Sequence, residues 1–484
     1  MSINAAMNWW VRAGGDQLNG GGYDETVSGA GTNFCDQDSP QLSLSDFATS
    51  GAASTTLTSA TGGFTAAMIG NVIRIASGTN FQTGYYVITA YTNTNTVTLD
   101  RTPTSGGAGS GGVGRVGGAH PGFINYGIGG TATQPTITSP LAAGHRINVR
   151  GSGSSDPGSP DYTQSGYYTL TSGDETSGHI HIKGYNGRPR FNVANLLIYD
   201  AGFLRVSGIV CHATGADFAV NGFFGVNSGN HRSFADCIFD INGIDMAVAQ
   251  AVEAFLNCTI RNSGSTSAGS YPALLLDSYN AVVSGVYCRN FRGYFATVVN
   301  MATINNSVIA GCRHGSNAAF VVNLAANSYK ANFNRVTIYG STGSGISLTA
   351  AQDIFNTSIN NCVFDSNGGY GITCATGTQA RNDRMKPHWD YNAFRNNSSG
   401  ARNAVGAGDH DVTLSADPFT NAGSGDFSLN NTAGGGAALR AAGFPGAYLG
   451  GLTTGYLDIG AVQHQSVAGG GGLSRPVGMG GGLV

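Results

Sequence analysis

Hydrophobic and polar positions alternate along most of this chain in runs too short for helices, each closed by Gly, Asn or Ser. The clearest run is INNCVFDSNGGYGITC, from Ile359 to Cys374. It predicts two short strands joined by an Asn-Gly turn, with Ile359, Cys362 and Phe364 facing a core and Val363 pointing away. The pattern recurs as FADCIFDINGID from Phe234, FLNCTIRNSG from Phe255, VVSGVYCRNFRG from Val282, INNSVIAGCRHG from Ile304 and FNRVTIYGSTGSG from Phe333. RVSGIVCHATG from Arg205 and WDYNAFRNNSSG from Trp389 are weaker copies. Successive starts lie 29, 21, 27, 22, 29, 26 and 30 residues apart. A drifting period in the twenties is that of a coiled solenoid whose loops vary while its strands do not.

A second strand follows each turn, as in PALLL at 272, FATVV at 295, AFVVN at 319 and GISLT at 345. Each coil therefore supplies at least two strands, stacked as parallel sheets about 4.8 Å apart. About ten coils between Arg146 and Trp389 predict a rod of roughly 50 Å.

Other stretches break the period. Residues 1–48 read as a capping or attachment segment in which Trp9 and Trp10 cannot both face one core, so one caps the solenoid or meets a partner. Within 49–118, TTLTSA, NVIRIAS, GYYVITAYT and TVTLDR predict a small inserted antiparallel β-domain, with GGAGSGGVGRVGG as a flexible linker. The solenoid spans 119–410, and 411–465 reads as a short cap over its last coil. Residues 466–484 form a glycine-rich tail, either disordered or threaded onto a neighbouring subunit with Leu473, Met479 and Val484 as anchors.

Composition supports an all-β chain. Charged residues are 11% of the total, and Glu and Lys, common on solvated helix faces, occur three times each. A net charge of −3 with no basic run gives no pull toward nucleic acid, and no apolar stretch is long enough to span a bilayer. The start, MSINAAMNWWVR, lacks a charged region followed by an apolar one, so the chain is expected to be made in a cytoplasm. Eight cysteines form no C-x-x-C pair. Cys237, Cys258 and Cys362 share one slot of the repeat with Gly208, Gly285 and Ser307, which reads as a small buried position; a Cys237–Cys258 disulfide is the alternative.

Several blocks resemble the right-handed parallel β-helix superfamily of pectate-lyase-like proteins. AAGHRINVRGSG is similar to its entry strand, with His145 where Asp is usual, and HIHIKGYNGRPRF to its second coil. DPFTNAGSGDFSLN and DIGAVQ are similar to blocks closing many such chains. The resemblance covers about 1–48 and 140–465 and implies fold rather than activity. The insertion at 49–118, the missing leader and the glycine-rich tail further resemble bacteriophage virion proteins of this superfamily. That implies a tail spike, fibre or capsid decoration located in the virion. Its partners would be other virion subunits, itself as a homo-oligomer (a trimer before other states) and a host surface polysaccharide. No cofactor is implied.

Candidate chemistry follows from the columns that stacked coils create. The column after the first strand reads Cys211, Asp240, Arg261, Cys288, Ala310, Tyr339, Asp365 and Arg395, so Asp240 with Arg261 and Asp365 with Arg395 read as cross-strand charge pairs. A second column holds Ser207, Asp236, Asn257, Ser284, Asn306, Arg335, Asn361 and Tyr391, where amides would satisfy corner backbone. Asp236, Asp240 and Arg261 are the best candidates for a lyase or hydrolase centre. Tyr287, Phe291 and Tyr339 are candidates for stacking on sugar rings if exposed. His179 and His181 alternate on one strand with no third ligand at useful spacing, so no metal site is expected. A structural role, a polysaccharide depolymerase and a non-catalytic glycan-binding adhesin all stay open.

Overall fold

The computed structural model describes residues 7–27, 34–121, 144–164, 168–170, 179–194, 198–200, 203–214, 223–226, 231–262, 268–315, 317–324, 329–349, 357–374, 389–440, 442–444 and 457–463. Two compact units divide the chain, Met1–Cys211 with Val226–Gly229, and His212–Gly225 with Asn230–Val484. Both contain parallel β-helix coils.

In the first unit, Met7–Val11 pairs in parallel with Arg146–Arg150, and that strand with Ile180–Tyr185, which pairs in turn with Leu204–Ser207. Trp9 lies opposite Ile147 and is wholly buried; its Nε1 donates to His145 Nδ1 at 3.1 Å. His145 thus has a structural partner in Trp9. Trp10 packs its edge on Tyr185 at 5.0 Å. As expected, the two tryptophans do not share one core: Trp9 is buried, while Trp10 stays partly exposed.

The insertion is a closed six-stranded antiparallel barrel whose strands run from Leu42–Ala48 to Ser110–Val116. Its core holds Phe47, Phe64, Ile73, Ile75, Ile88 and Val97. The barrel starts ahead of residue 49. The glycine-rich run expected as a linker is its last strand, paired with both Leu42–Ala48 and Val72–Thr79. The reason is steric. A Cβ on Gly114 would sit 2.4 Å from the Arg74 carbonyl oxygen, and one on Gly112 would sit 2.6 Å from the Phe81 ring. These glycines admit a close approach of strands, which composition alone reads as flexibility.

In the second unit each full coil supplies three strands. One series runs through Val252–Leu256, Ala281–Ser284 and Thr357–Asn360, and a second through Thr259–Arg261, Tyr287–Arg289 and Val363–Asp365. In Ala302–Ala310 and Ala331–Tyr339 the two are continuous. The third series is a six-stranded parallel sheet from Pro272–Leu276 to Gly400–Asn403. Between the first and second series the chain turns through one left-handed residue: Asp236 (φ 55°), Asn257 (51°), Gly285 (67°), Asn306 (47°), Arg335 (56°), Asn361 (57°) and Tyr391 (59°). Asn and Gly dominate because they tolerate this conformation best.

This corner fixes the register and moves two copies of the repeat by one residue. Gly285, and Gly208 (φ 64°) in the first unit, occupy the corner, so the residues equivalent to Cys237 and Cys258 are Val286 and Ile209. The slot is wholly inward, with Cys237, Cys258, Val286, Ser307, Val336 and Cys362 buried. All eight cysteines are buried free thiols. Burial pushes the Cys362 thiol up to about 12, and burial beside Cys237 raises that of Cys258, so these sulfurs stay protonated. Above them, Phe239, Ile260, Cys288, Ile309, Ile338 and Phe364 line the interior; each buried phenylalanine contributes about 1.5–3 kcal/mol.

The C-terminal segment begins with Val412–Thr413, stacked in parallel on Ala393–Arg395 of the last coil. The hairpin Phe419–Asn421/Asp426–Leu429 and the stretch 457–463 lie along the outward side of the second strand series. Phe419, Phe427, Leu429, Leu439 and Ile459 pack there against Val308, Ala310, Val363 and Ala393. Covering outward Val and Ala at these positions removes apolar surface from water, which is favourable. The tail residues Leu473, Met479 and Val484 lie outside the described residues.

Candidate functional site

With the corner as reference, the charged column of the second unit reads His212, Asp240, Arg261, Arg289, Ala310, Tyr339, Asp365 and Arg395. Pairings such as Asp240 with Arg261, Arg261 with Arg289 and Tyr339 with Asp365 establish it. Cys211 and Cys288 leave the column and point inward, where both are wholly buried. A one-residue slip inverts the face of every side chain in a strand, so the correction replaces two thiols by a histidine and an arginine.

At one end of this column, Asp240 is almost fully buried. Its Oδ2 lies 3.4 Å from Arg261 Nε and 3.3 Å from His212 Nδ1, while Oδ1 accepts from the Asn242 backbone N–H at 3.1 Å. Asp240 and Arg261 thus meet as expected of a charge pair. Asp236 does not join them: it is the exposed left-handed corner residue ahead of the strand Ile238–Asp240. His212 escaped the sequence reading because the copy from Arg205 was set one residue early. Alignment on Gly208 rather than on the valines would have found it.

Further along, Arg289 donates to the carbonyl of Ser424 at 2.9 Å and to that of Gly423, and the Tyr287 hydroxyl donates to the Gly425 carbonyl at 3.3 Å. Tyr287 and Tyr339 set their rings edge-on to Phe427 at 6.5 and 5.5 Å, and Phe291 is wholly buried. None of the three is an open sugar platform; two are covered by the C-terminal segment and one is core. This corrects the exposure expected of them.

Asp365 forms the second charge pair. Arg395 Nε lies 3.4 Å from its Oδ1, and Arg395 Nη1 lies 3.4 Å from Asp417 Oδ1 in the C-terminal segment. Burial pushes the Asp365 carboxyl up to about 6; the Ser366 hydroxyl and Arg395 oppose that shift, and Asp417 adds to it. Its Oδ2 is buried without a hydrogen-bond partner, which favours the protonated form.

On the last coil, His410 Nδ1 lies 2.7 Å from Asp390 Oδ2 and its ring stacks on Tyr391 at 4.4 Å. The hydrogen bond to Asp390 raises the imidazole pKa. Arg402, nearly buried over the Phe394 ring, pairs with Asp411. Among the described residues no cluster of three or more His, Cys, Asp or Glu could hold a metal ion, and no helix is long and apolar enough to cross a membrane.

No family model and no curated protein matches the chain. Among solved structures, pectate lyase Pel9A is 16% identical, with 67% of this chain and 89% of that one covered at a TM-score of 0.31. The catalytic domain of a GH87 alpha-1,3-glucanase in complex with nigerose is 9% identical, covering 82% and 90% at 0.29. The A-module of the Azotobacter vinelandii mannuronan C-5 epimerase AlgE4 is 11% identical, covering 55% and 90% at 0.19. Likeness at this level assigns no chemistry. The parallel β-helix fold stands on the strand register described above.

Proposed function

We propose that this chain is a structural component of a bacteriophage virion, a tail spike, fibre or capsid decoration, whose coils form a scaffold with a host-glycan-facing side. The observation that carries the scaffold reading is how the coils use their charges. Asp240 and Asp365 are each tied to an arginine, and Arg289 and Arg395 bond to the chain's own C-terminal segment. The six-stranded sheet presents Leu275, Thr297, Val321, Ser347, Thr373 and Asn403 outward, a column with no acid or base. The virion placement draws on the resemblance of the insertion and the glycine-rich tail. Immunogold electron microscopy of purified particles tests it: label on particles is expected, and label found only on protein free in the medium overturns it.

A depolymerase is the second reading, favoured by Asp365. Its carboxyl, pushed up to about 6 beside Arg395 and Asp417, would hold a proton as a general acid must, but it is wholly buried, so this reading also requires the C-terminal segment to move off it. Cleavage of a host polysaccharide that is lost in Asp365→Asn and Asp417→Asn, but kept in Asp236→Asn, would select this reading over the scaffold.

A further inference from the structure

We propose that the outward side of the first strand series, flanked by Tyr279 and Tyr329, binds an extended neutral polysaccharide. This rests on the host-glycan-facing reading above and gives that reading a location and a ligand class.

Tyr279 is 61% exposed, an unusual position for a large aromatic side chain. It sits in the turn before Ala281–Ser284, held there by buried Ser278 on one side and left-handed Asn280 (φ 60°) on the other. Tyr329 occupies the matching position, two residues before Ala331–Tyr339. Those strands are two coils apart, about 9.6 Å at one strand spacing per coil. Yet the two rings meet edge-to-face at 5.7 Å, and the Tyr329 hydroxyl donates to that of Tyr279 at 3.2 Å. Both side chains therefore lean over the intervening coil and hold each other in place before any ligand arrives. Such a pair offers ring faces and hydroxyls together, which suits the mixed C–H and O–H surface of a sugar.

Beside the pair, the register lines up Val282, Thr303, Asn332 and Ser358 in one outward column. Ser284, Asn305, Asn334 and Asn360 form the next. Val282 is 37% exposed and Asn332 is exposed. Ser358 donates to Asn332 Oδ1 at 2.7 Å, which leaves the Asn332 amide N–H groups as outward donors. The two columns themselves carry amides and hydroxyls and no charge; the nearest cations are Lys330, exposed beside Tyr329, and Arg335 at the corner after Asn334. An acidic glycan or a nucleic acid would call for cations repeated within the columns. A neutral chain of sugars calls for what is present, donors and acceptors repeated once per coil, with aromatic rings at the edge.

The test uses the full chain on an array of bacterial polysaccharides, neutral and acidic. Binding to neutral members is expected, weakened roughly tenfold by Tyr279→Ala or Tyr329→Ala and further by Asn305→Ala with Asn334→Ala. Circular dichroism should be unchanged in the tyrosine variants, whose side chains lie at the surface. Binding confined to acidic members, no binding to neutral ones, or binding indifferent to both tyrosines overturns the proposal. So does loss of self-association in the tyrosine variants without neutral-glycan binding, which would make this side a contact between copies. Particle labelling is read separately. Labelled particles without glycan binding refute this site alone, and glycan binding without labelled particles refutes the virion placement alone.

Discussion

The strand Ala302–Ala310 passes through two environments within nine residues. Before the corner at Asn306 its outward residues are Thr303 and Asn305, which are partly exposed. After it they are Val308 and Ala310, which are buried beneath the C-terminal segment. One backbone and one register thus yield, within this strand, an open polar face and a covered apolar one. The difference teaches that in a solenoid the outward residues report what lies over them, while the inward residues report only the core. Polar outward columns are compatible with solvent or ligand; covering apolar ones is favourable.

Breaking the seal should give the largest effect. Phe427→Ala removes a buried ring that packs on Tyr287 and Tyr339, and should cost about 3–5 kcal/mol in denaturant unfolding. A loss below about 1 kcal/mol would mean that the C-terminal segment is not packed as described.

Asp240→Ala strands Arg261 and His212 beside a vacated buried carboxylate. It should cost about 3 kcal/mol, the low end for a broken buried pair because Arg261 keeps some solvent contact. Asp236→Asn, in the exposed corner, should change stability by less than about 0.5 kcal/mol. Equal losses in the two variants would contradict the separation of the two aspartates.

The Asp365 carboxyl should make the sealed side sensitive to pH. Its pKa of about 6 in the folded chain exceeds the roughly 3.9 of an unfolded aspartate, so the folded state binds more protons between these values. Stability from this group is therefore present below about pH 4 and falls as pH rises toward 6, by at most about 3 kcal/mol. Unfolding curves across that window should show the slope in the wild type and a flatter profile in Asp365→Asn. An equal slope in both would assign the titration to another group.

The corner itself should give a smaller effect on both sides together. Asn306→Ala forces an ordinary residue into a φ of 47° and should cost about 1 kcal/mol. Asn306→Gly should be close to neutral. A larger loss for glycine than for alanine would show that the Asn306 side chain matters more than its backbone conformation.

Much of the fold was legible along the chain. The repeat located the coils, because inward Phe, Ile, Val and Cys must recur once per turn of a solenoid. The pairs Asp240–Arg261 and Asp365–Arg395 were readable for the same reason. Register was legible only to within one residue where neighbours are alike. Val282 and Val283 are chemically equivalent, yet one is exposed and the other buried. That slip hid His212 and Arg289 from the charged column. In the insertion, glycine composition suggested a linker where strand packing needed the absence of side chains.

The sequence by itself determined the all-β coiled architecture and the recurrence of inward apolar residues, because both depend on residue type repeated at a fixed period. Only the tertiary structure decided which side of the coils is sealed. Phe419, Phe427 and Ile459 lie far along the chain from Val308, and no local pattern relates them. It alone also placed Tyr279 against Tyr329, since ring contact across 50 residues follows from how the coils stack and from nothing in the neighbourhood of either tyrosine.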